Sequence, residues 1–545
     1  MAYQDPVECL ELLKQLHPLN IEETHRILSE MVPALLHALP APEQHLEVLE
    51  AARAQIALAQ AELARRYASH PLPPDSAENE TLRNVVGLWR AMARSYAHIA
   101  RRRAADGLPA DQSASLAQRR VYYAGQVLLE YFRARRALPA GAWAELHDSY
   151  SAADALGVAG TRVSDPLNEI WKAQSPTEAY AAVLLVDLSN PYGRGEREFN
   201  WVCRWAQRFA PYCSLNGEMA DDAPKPAAYG LDLSSDHGLR PLGVLAQSGS
   251  LRRFDGSQLA GQIQAVRKQF KQGVTPASLG LGADCPVDAC AKLLLSLYRP
   301  WGLASAGRRF PRRGCQGGAE LCTDWSAIAF HILGKPFEQP PTYVIQRSLR
   351  SDISLLTFGE RVEQAERRWS EGQRRHAATK FGFICERWNM ADHSVNGFRL
   401  RQHPHTQRLE HHQLVGIRPP DGERFLLGQI SWLLFRGDGI METGVHVLAG
   451  LPKVIAVRAF GLLTSLRETY QEAFMLPATP ALKAPATLVL PGGWYHAQRV
   501  IDVYDDGRRV QLRLTDLILR GTNFDQVSFE SLEPANQGVT PGSAR

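Results

Sequence analysis

FGFICERWNMADHSVNGFRL, residues 381–400, sets two short runs of β-branched and aromatic side chains, Phe381–Cys385 and Gly397–Leu400, around a polar turn. Runs of this length bounded by turn residues read as strands. The texture continues downstream in Arg424–Phe435 and Gly444–Leu448, punctuated by Pro419-Pro420-Asp421-Gly422 and Arg436-Gly437-Asp438-Gly439. Short strands at this spacing predict a small antiparallel barrel or sandwich. A further small β segment follows in Ala486–Leu490, Tyr495–Tyr504 and Arg509–Leu519, the last two joined at the Asp505-Asp506-Gly507 hairpin turn. The polar end, 536–545, reads as a frayed tail.

Upstream the period changes. Leu49, Ala52, Ile56, Ala59 and Leu63 step by threes and fours, and Leu82, Val85, Trp89, Met92, Tyr96 and Ile99 repeat the stripe. Leu116–Phe132 predicts a third long helix, and Glu178–Val186 and Arg197–Phe209 two more. Pro42 sits where a helix start tolerates a missing N–H. These segments predict an antiparallel helical bundle over 1–211. After a linker at Asp221–Pro226 the chain mixes a strand near Tyr229 with helices at Gln258–Lys271 and Val287–Tyr298. The expected order is therefore a helical domain (1–211), a mixed α/β stretch (226–345), a β-barrel (346–470), a β segment (480–535) and a tail. The class is α+β multidomain.

At 545 residues several cores are needed. Sixty-one basic against 57 acidic side chains leave a net charge of +4, too even for bulk coating of nucleic acid. An anion site must then be a local arginine cluster. The eight cysteines show no C-x-x-C pair, so no metal site is predicted and all are read as reduced thiols. The first ten residues lack a basic, apolar leader, and no apolar run approaches a membrane span, which points to the cytoplasm. His403, His405, His411 and His412 cluster without ligand spacing and read as a polar loop. Trp201 and Trp205 read as core contacts on one helix. No P-loop, H-E-x-x-H or G-x-S-x-G occurs, and no catalytic residue or enzyme activity is predicted.

Within Asp392-His393-Ser394-Val395-Asn396-Gly397, Asp392 and Ser394 share one face of an extended segment. A carboxylate beside a hydroxyl suits the edge of a nucleobase such as guanine. Gly397 lets the backbone turn or approach a ligand closely. The same hexapeptide also fits an Asx turn capping a hairpin.

Over about 367–457 the chain resembles the PilZ family, whose signature is R-x-x-x-R at the start of a six-stranded barrel followed by D/N-x-S-x-x-G. Asp392, Ser394 and Gly397 match the second motif. Leu414–Ile417, Leu427–Trp432 and Thr443-Gly444-Val445 are similar to later strands of that barrel. The resemblance implies a cyclic di-GMP receptor with no cofactor. The arginine motif departs from the pattern: Arg367, Arg368, Arg374 and Arg375 lie nearest upstream, but none has the spacing. It occurs instead in Arg308-Arg309-Phe310-Pro311-Arg312-Arg313, before an expected strand at Ala319–Cys322. That distance suggests a degenerate PilZ-like module in 226–345, or a ligand site shared between segments, and Asp232 and Ser234 of Leu231–Gly238 loosely repeat the second motif. Guanidinium groups bind phosphate bidentately and stack on purines. Arg374 and Arg375 are favoured as the primary pair, with Arg308, Arg309, Arg312 and Arg313 auxiliary. The helical domain is expected to contact an unidentified protein partner, with no membrane insertion and nucleic acid disfavoured. The rival readings are a scaffold whose barrel has lost its ligand and a nucleic-acid binder using the basic loops.

Overall fold

Pro42 does open a helix, its ring occupying a first-turn position whose N–H has no partner to lose. The computed structural model describes residues 3–17, 19–104, 109–217, 229–246, 248–303, 312–315, 317–340, 370–403, 407–460 and 469–532. Contacts divide the chain into two units, 1–309 with 434–439, and 310–433 with 440–545.

In the first unit the helices are α1 (Pro6–Gln15), α2 (Ile21–Ala38), α3 (Pro42–Ala64), α4 (Ser76–Arg103), α5 (Ala110–Arg133) and α6 (Ala142–Ala155). A two-strand ribbon, β1 (Val163–Ser164) with β2 (Ala173–Gln174), precedes α7 (Pro176–Leu188) and α8 (Glu196–Phe209). α5 lies against α4, α6 and α7, and α7 is apolar all round because it is enclosed. Next come β3 (Ser214–Asn216), β4 (Tyr229–Asp232), β5 (Arg240–Pro241) and β6 (Leu251–Asp255), a four-stranded sheet in the order β3-β6-β4-β5. α9 (Ser257–Lys271) and α10 (Val287–Gly302) complete the unit.

This middle segment does not form the second PilZ-like module considered above. Leu231, Phe254, Ile263 and Trp301 join the same apolar core as the helices. Trp301 Nε1 donates to the Leu185 carbonyl at 2.8 Å, and Asp236 accepts from the N–H groups of Gly141, Trp143 and Ala144 at the start of α6. Asp232 accepts from Ser250 and Ser234, whose hydroxyls hold it below the usual carboxylate range, so this motif copy is a self-satisfied turn. The linker expected at Asp221–Pro226 lies outside the described residues. Nor are all eight cysteines free: the first turn of α10 brings Cys290 to Cys285, and the two form a disulfide with Cα atoms 6.0 Å apart.

The second unit holds two closed barrels. Its elements begin with β7 (Arg313–Gly314), β8 (Gly318–Cys322), α11 (Trp325–Leu333) and α12 (Glu371–Phe381). The strands β9 (Glu386–Ser394), β10 (Gly397–Gln402), β11 (Leu414–Arg418), β12 (Leu426–Phe435) and β13 (Met441–Val447) follow. Pairings run β8–β9–β10–β13–β12–β11 and return to β8, so each of these six strands has a neighbour on both sides. The boundary expected at 346 therefore moves upstream, since β8 supplies a strand that β9 and β11 both require. Phe381–Cys385 is not a strand; α12 runs to Phe381 and ends on Gly382 at φ 71°, a left-handed cap suited to glycine.

The second barrel comprises β14 (Lys453–Ala459), β15 (Gln471–Leu476), β16 (Thr487–Pro491), β17 (Val500–Asp505), β18 (Arg508–Arg520) and β19 (Phe524–Leu532), closed in the order β14-β15-β16-β19-β18-β17. The Asp506-Gly507 turn has φ of 44° and 84°, as a tight hairpin requires. Ile455, Val457, Leu488, Leu490 and Val503 fill its interior. Val454, Phe474 and Val489, one step out of phase, pack outward with Ala327 and Ile328 of α11 and with Leu414 and Leu427 of the first barrel. No helix among the described residues is long and apolar enough to cross a membrane.

The helical unit rests on a buried ion network. Asp165 receives Arg53 at 2.7 Å, Gln118 at 3.0 Å and Arg119 at 3.5 Å, and Arg119 also reaches Glu50 at 3.1 Å. Removing one member of a buried charge network leaves the others uncompensated. Asp165→Ala is expected to destabilise this unit by about 3–5 kcal/mol, read as a lowered urea midpoint of the helical circular-dichroism signal.

Candidate functional site

The first barrel strand carries the arginine segment directly to the acidic motif. β7 and β8 run along the same flank of β9: Arg313 and Gly314 pair with His393 and Asp392, and Gly318–Leu321 pair with Asn389–Glu386. Between them the Cys315 and Met390 amides donate to the Ala391 and Gly317 carbonyls. On the other flank of β9, Arg399 of β10 stands opposite Asp392.

A bulge sets which way Asp392 faces. Leu400 pairs with Met390 but Arg399 pairs with Asp392, so Ala391 is the extra residue. Met390 is buried with Leu400, whereas Asp392 follows Arg399 to the outer face. Without that bulge, strict alternation would turn the Asp392 side chain to the same side as Trp388 and Met390.

The outer face holds a chain of opposite charges. Arg312 Nη1 lies 2.5 Å from Asp392 Oδ1, and Arg399 Nη1 is 3.7 Å from Asp392 Oδ2. Arg399 Nη2 donates to Glu442 Oε2 at 2.7 Å, and Arg401 Nε reaches Glu442 Oε1 at 3.1 Å. Glu442 is only 1% exposed, so it anchors both β10 arginines from beneath. Three guanidinium groups thus stand around two carboxylates in orientations fixed before any ligand arrives, which lowers the ordering cost of binding an anion. The surface can offer forked N–H donors to phosphate and flat cationic faces to a purine.

The predicted site residues fall into three groups. Arg312, Arg313, Asp392, Ser394 and Gly397 come together on this barrel. Arg374 does not join them: it lies on α12, beside the turn that ends α11, where a Cβ on Gly334 would meet its guanidinium carbon at 3.0 Å. Arg308 and Arg309, together with the side chain of Arg375, lie outside the described residues. Ser394 Oγ bonds weakly within its own hairpin, to the Gly397 carbonyl at 3.4 Å. Gly397 serves the barrel rather than a ligand, because a Cβ there would sit 2.3 Å from the Val445 carbonyl oxygen on β13.

Arg399, Arg401 and Glu442 were missed in the sequence. Their signal is the period-two spacing of two arginines on one strand face, which becomes meaningful only once Glu442 is known to lie opposite Arg401. A cleft of about 540 Å³ on the helical unit, lined by Glu22, Arg26, Arg66 and Arg83 among others, mixes both charge signs. Within the histidine cluster, His411 bonds to the Ser431 carbonyl at 3.2 Å and its ring centroid lies 3.7 Å from that of His412, while His405 lies outside the described residues.

Two family models and one relative are similar to parts or most of this chain. Residues 7–221 match the model of the N-terminal domain of the cyclic-di-GMP receptor FimW, and residues 455–532 match that of the FimW C-terminal β-barrel domain. The chain is 22% identical over 560 aligned positions to the cyclic-di-GMP receptor FimW of Pseudomonas aeruginosa, covering 96% of this chain and 90% of that protein. No solved structure matches. The two family models flank the barrel that carries Asp392.

Gly397→Ala forces a methyl group against a strand carbonyl. It is expected to cost about 1–3 kcal/mol and to lower the thermal midpoint of the β-rich transition, measured by calorimetry.

Proposed function

We propose that this protein is a cyclic di-GMP receptor that holds the dinucleotide on the outer face of its first barrel. The observation that carries the reading is Arg312 paired with Asp392 across 80 residues of sequence, which rebuilds next to D-x-S-x-x-G the arginine segment that the primary structure holds far away. Similarity across nearly the whole chain to a protein named as a cyclic-di-GMP receptor supports the same ligand.

Arg312 and Arg313, with Arg308 and Arg309 one R-x-x-x-R step earlier, grip the phosphates. Asp392 and Ser394 take the guanine edge, where a carboxylate accepts from N–H donors and a hydroxyl adapts to either role. Arg399 lies beside Asp392 as a further cation. Binding shares the preset Arg312 between Asp392 and phosphate, so the ligand biases the outer face of the barrel only as far as it binds one arrangement better. The helical unit passes that bias to a protein partner. The arrangement calls for no catalytic step, and a cytoplasmic address follows from the ligand. Similarity over nearly the whole chain to a protein named as a receptor disfavours the scaffold reading.

Titration calorimetry of the full chain with cyclic di-GMP tests the assignment. Charge-assisted contacts contribute about 1.5–3 kcal/mol each, so Arg312→Ala/Arg313→Ala should weaken binding at least about tenfold. Asp392→Ala should do likewise, and Arg374→Ala/Arg375→Ala should bind as the parent does. Loss confined to the Arg374/Arg375 variant would move the site to α12. A parent that ignores the dinucleotide but binds generic oligonucleotides with steep salt dependence would return the protein to the nucleic-acid class.

A further inference from the structure

At the far end of β9 from Asp392, three soft ligands converge from three elements. Cys322 is the last residue of β8, Cys385 immediately precedes β9, and His331 lies in the last turn of α11. The pairing of Leu321 with Glu386 sets the two cysteines opposite each other, one step beyond the ladder. Their sulfur atoms and one ring nitrogen of His331 all lie within 4.8 Å of one another. Cys322 is fully buried, while Cys385 and His331 are partly exposed. We propose that Cys322, His331 and Cys385 form a binding site for a zinc-class divalent cation, with its fourth position open to water or a small anion.

The chemistry of the three donors favours this ion. Thiolate and imidazole together select zinc over the hard cations, which take oxygen ligands. Tetrahedral zinc with bonds of about 2.3 Å to sulfur holds two sulfurs about 3.8 Å apart, so the cluster needs to contract by no more than about 1 Å. His331 Nε2 lies 3.2 Å from the Phe383 carbonyl, which can only accept. Donation of that proton leaves Nδ1 as the lone-pair nitrogen, and a backbone carbonyl holding the other nitrogen is how metal-binding imidazoles are commonly oriented. The ring is also stacked on Phe425, with centroids 5.1 Å apart. Among the described residues no fourth His, Cys, Asp or Glu joins the group.

The positions of the ligands say what the ion would do. Cys322 and Cys385 stand at the two ends of the segment inserted between β8 and β9, and His331 belongs to that segment. One ion bound to all three clips the insertion shut at its neck and ties α11 to the barrel wall, the kind of long-loop closure from which a metal clip gains most. The seven residues from Cys385 to Asp392 span about 20 Å of strand, so the site is separate from the proposed dinucleotide site and does not depend on that assignment.

The test is metal analysis of the full chain purified without chelator under reducing conditions. About one zinc per chain is expected in the parent and in a Cys315→Ser control, and at least about tenfold less in His331→Ala and in Cys322→Ser/Cys385→Ser. Because Cys322 is buried, loss of its side chain can unfold the barrel independently of metal, so the parent is also stripped of metal and titrated with cobalt(II). A thiolate-to-cobalt charge-transfer band with intense tetrahedral d–d absorption, saturating at about one equivalent, supports the site. Absence of that band overturns it, as does zinc retained at parental level in folded His331→Ala, or Cys322 and Cys385 recovered as a disulfide under the same reducing conditions.

Discussion

Closure of the first barrel depends on β8 pairing on both flanks, with β9 on one side and β11 on the other. Those backbone hydrogen bonds are what bring the segment after residue 309 back to a motif that begins at 392. The Arg312 contact with Asp392 follows from that register, whereas the Arg399 and Arg401 contacts follow from the pairing of β10 with β9 and β13. With β8 in place, β7 reaches Asp392, Arg312 meets its carboxylate, and Arg399 falls opposite from the other side. A strand edge left open would instead present unpaired amides to solvent or to other chains.

The second unit is held together by strands that are apolar on both faces. Along β14 and β16 successive side chains alternate between the barrel interior and the layer shared with α11, so neither face is polar. α11 is short and very apolar because it is packed into that layer, with Ala327, Ile328 and Ala329 all buried. The small alanines let the helix approach the strands closely. Trp325 Nε1 and Ser326 Oγ bind the carbonyl and the carboxylate of Glu472 at its N-terminal end.

Local patterns were legible in the sequence, and pairings across long insertions were not. The helical stripes of α3, α4 and α5 and the Asp506-Gly507 hairpin could be read because their cause lies within a few residues. So could Asp392, Ser394 and Gly397 as a motif, although the close approach that demands Gly397 is to Val445, a strand partner no spacing reveals. Arg308–Arg313 stood out by internal spacing, yet the insertion between β8 and β9 hid its destination and made the nearer Arg374 look better placed. Phe381–Cys385 read as a strand because short apolar runs do not distinguish a helix end from a strand start. Lys453–Ala459 was grouped with the first barrel for its texture, whereas its partners are β15 and β17. The trio of Cys322, His331 and Cys385 has no short-range spacing at all.

The double pairing of β8 also constrains how this protein can be cut. A fragment beginning anywhere between Cys322 and Glu386 would retain the whole acidic motif and look, by sequence, like an intact module. It would nevertheless lack the stave that joins β9 to β11, exposing two long edges at once and removing Arg312 along with them. Such a piece should aggregate or recruit a strand from a neighbour, so the shortest expressible form of this barrel begins ahead of Arg312, not at the motif by which one would recognise it.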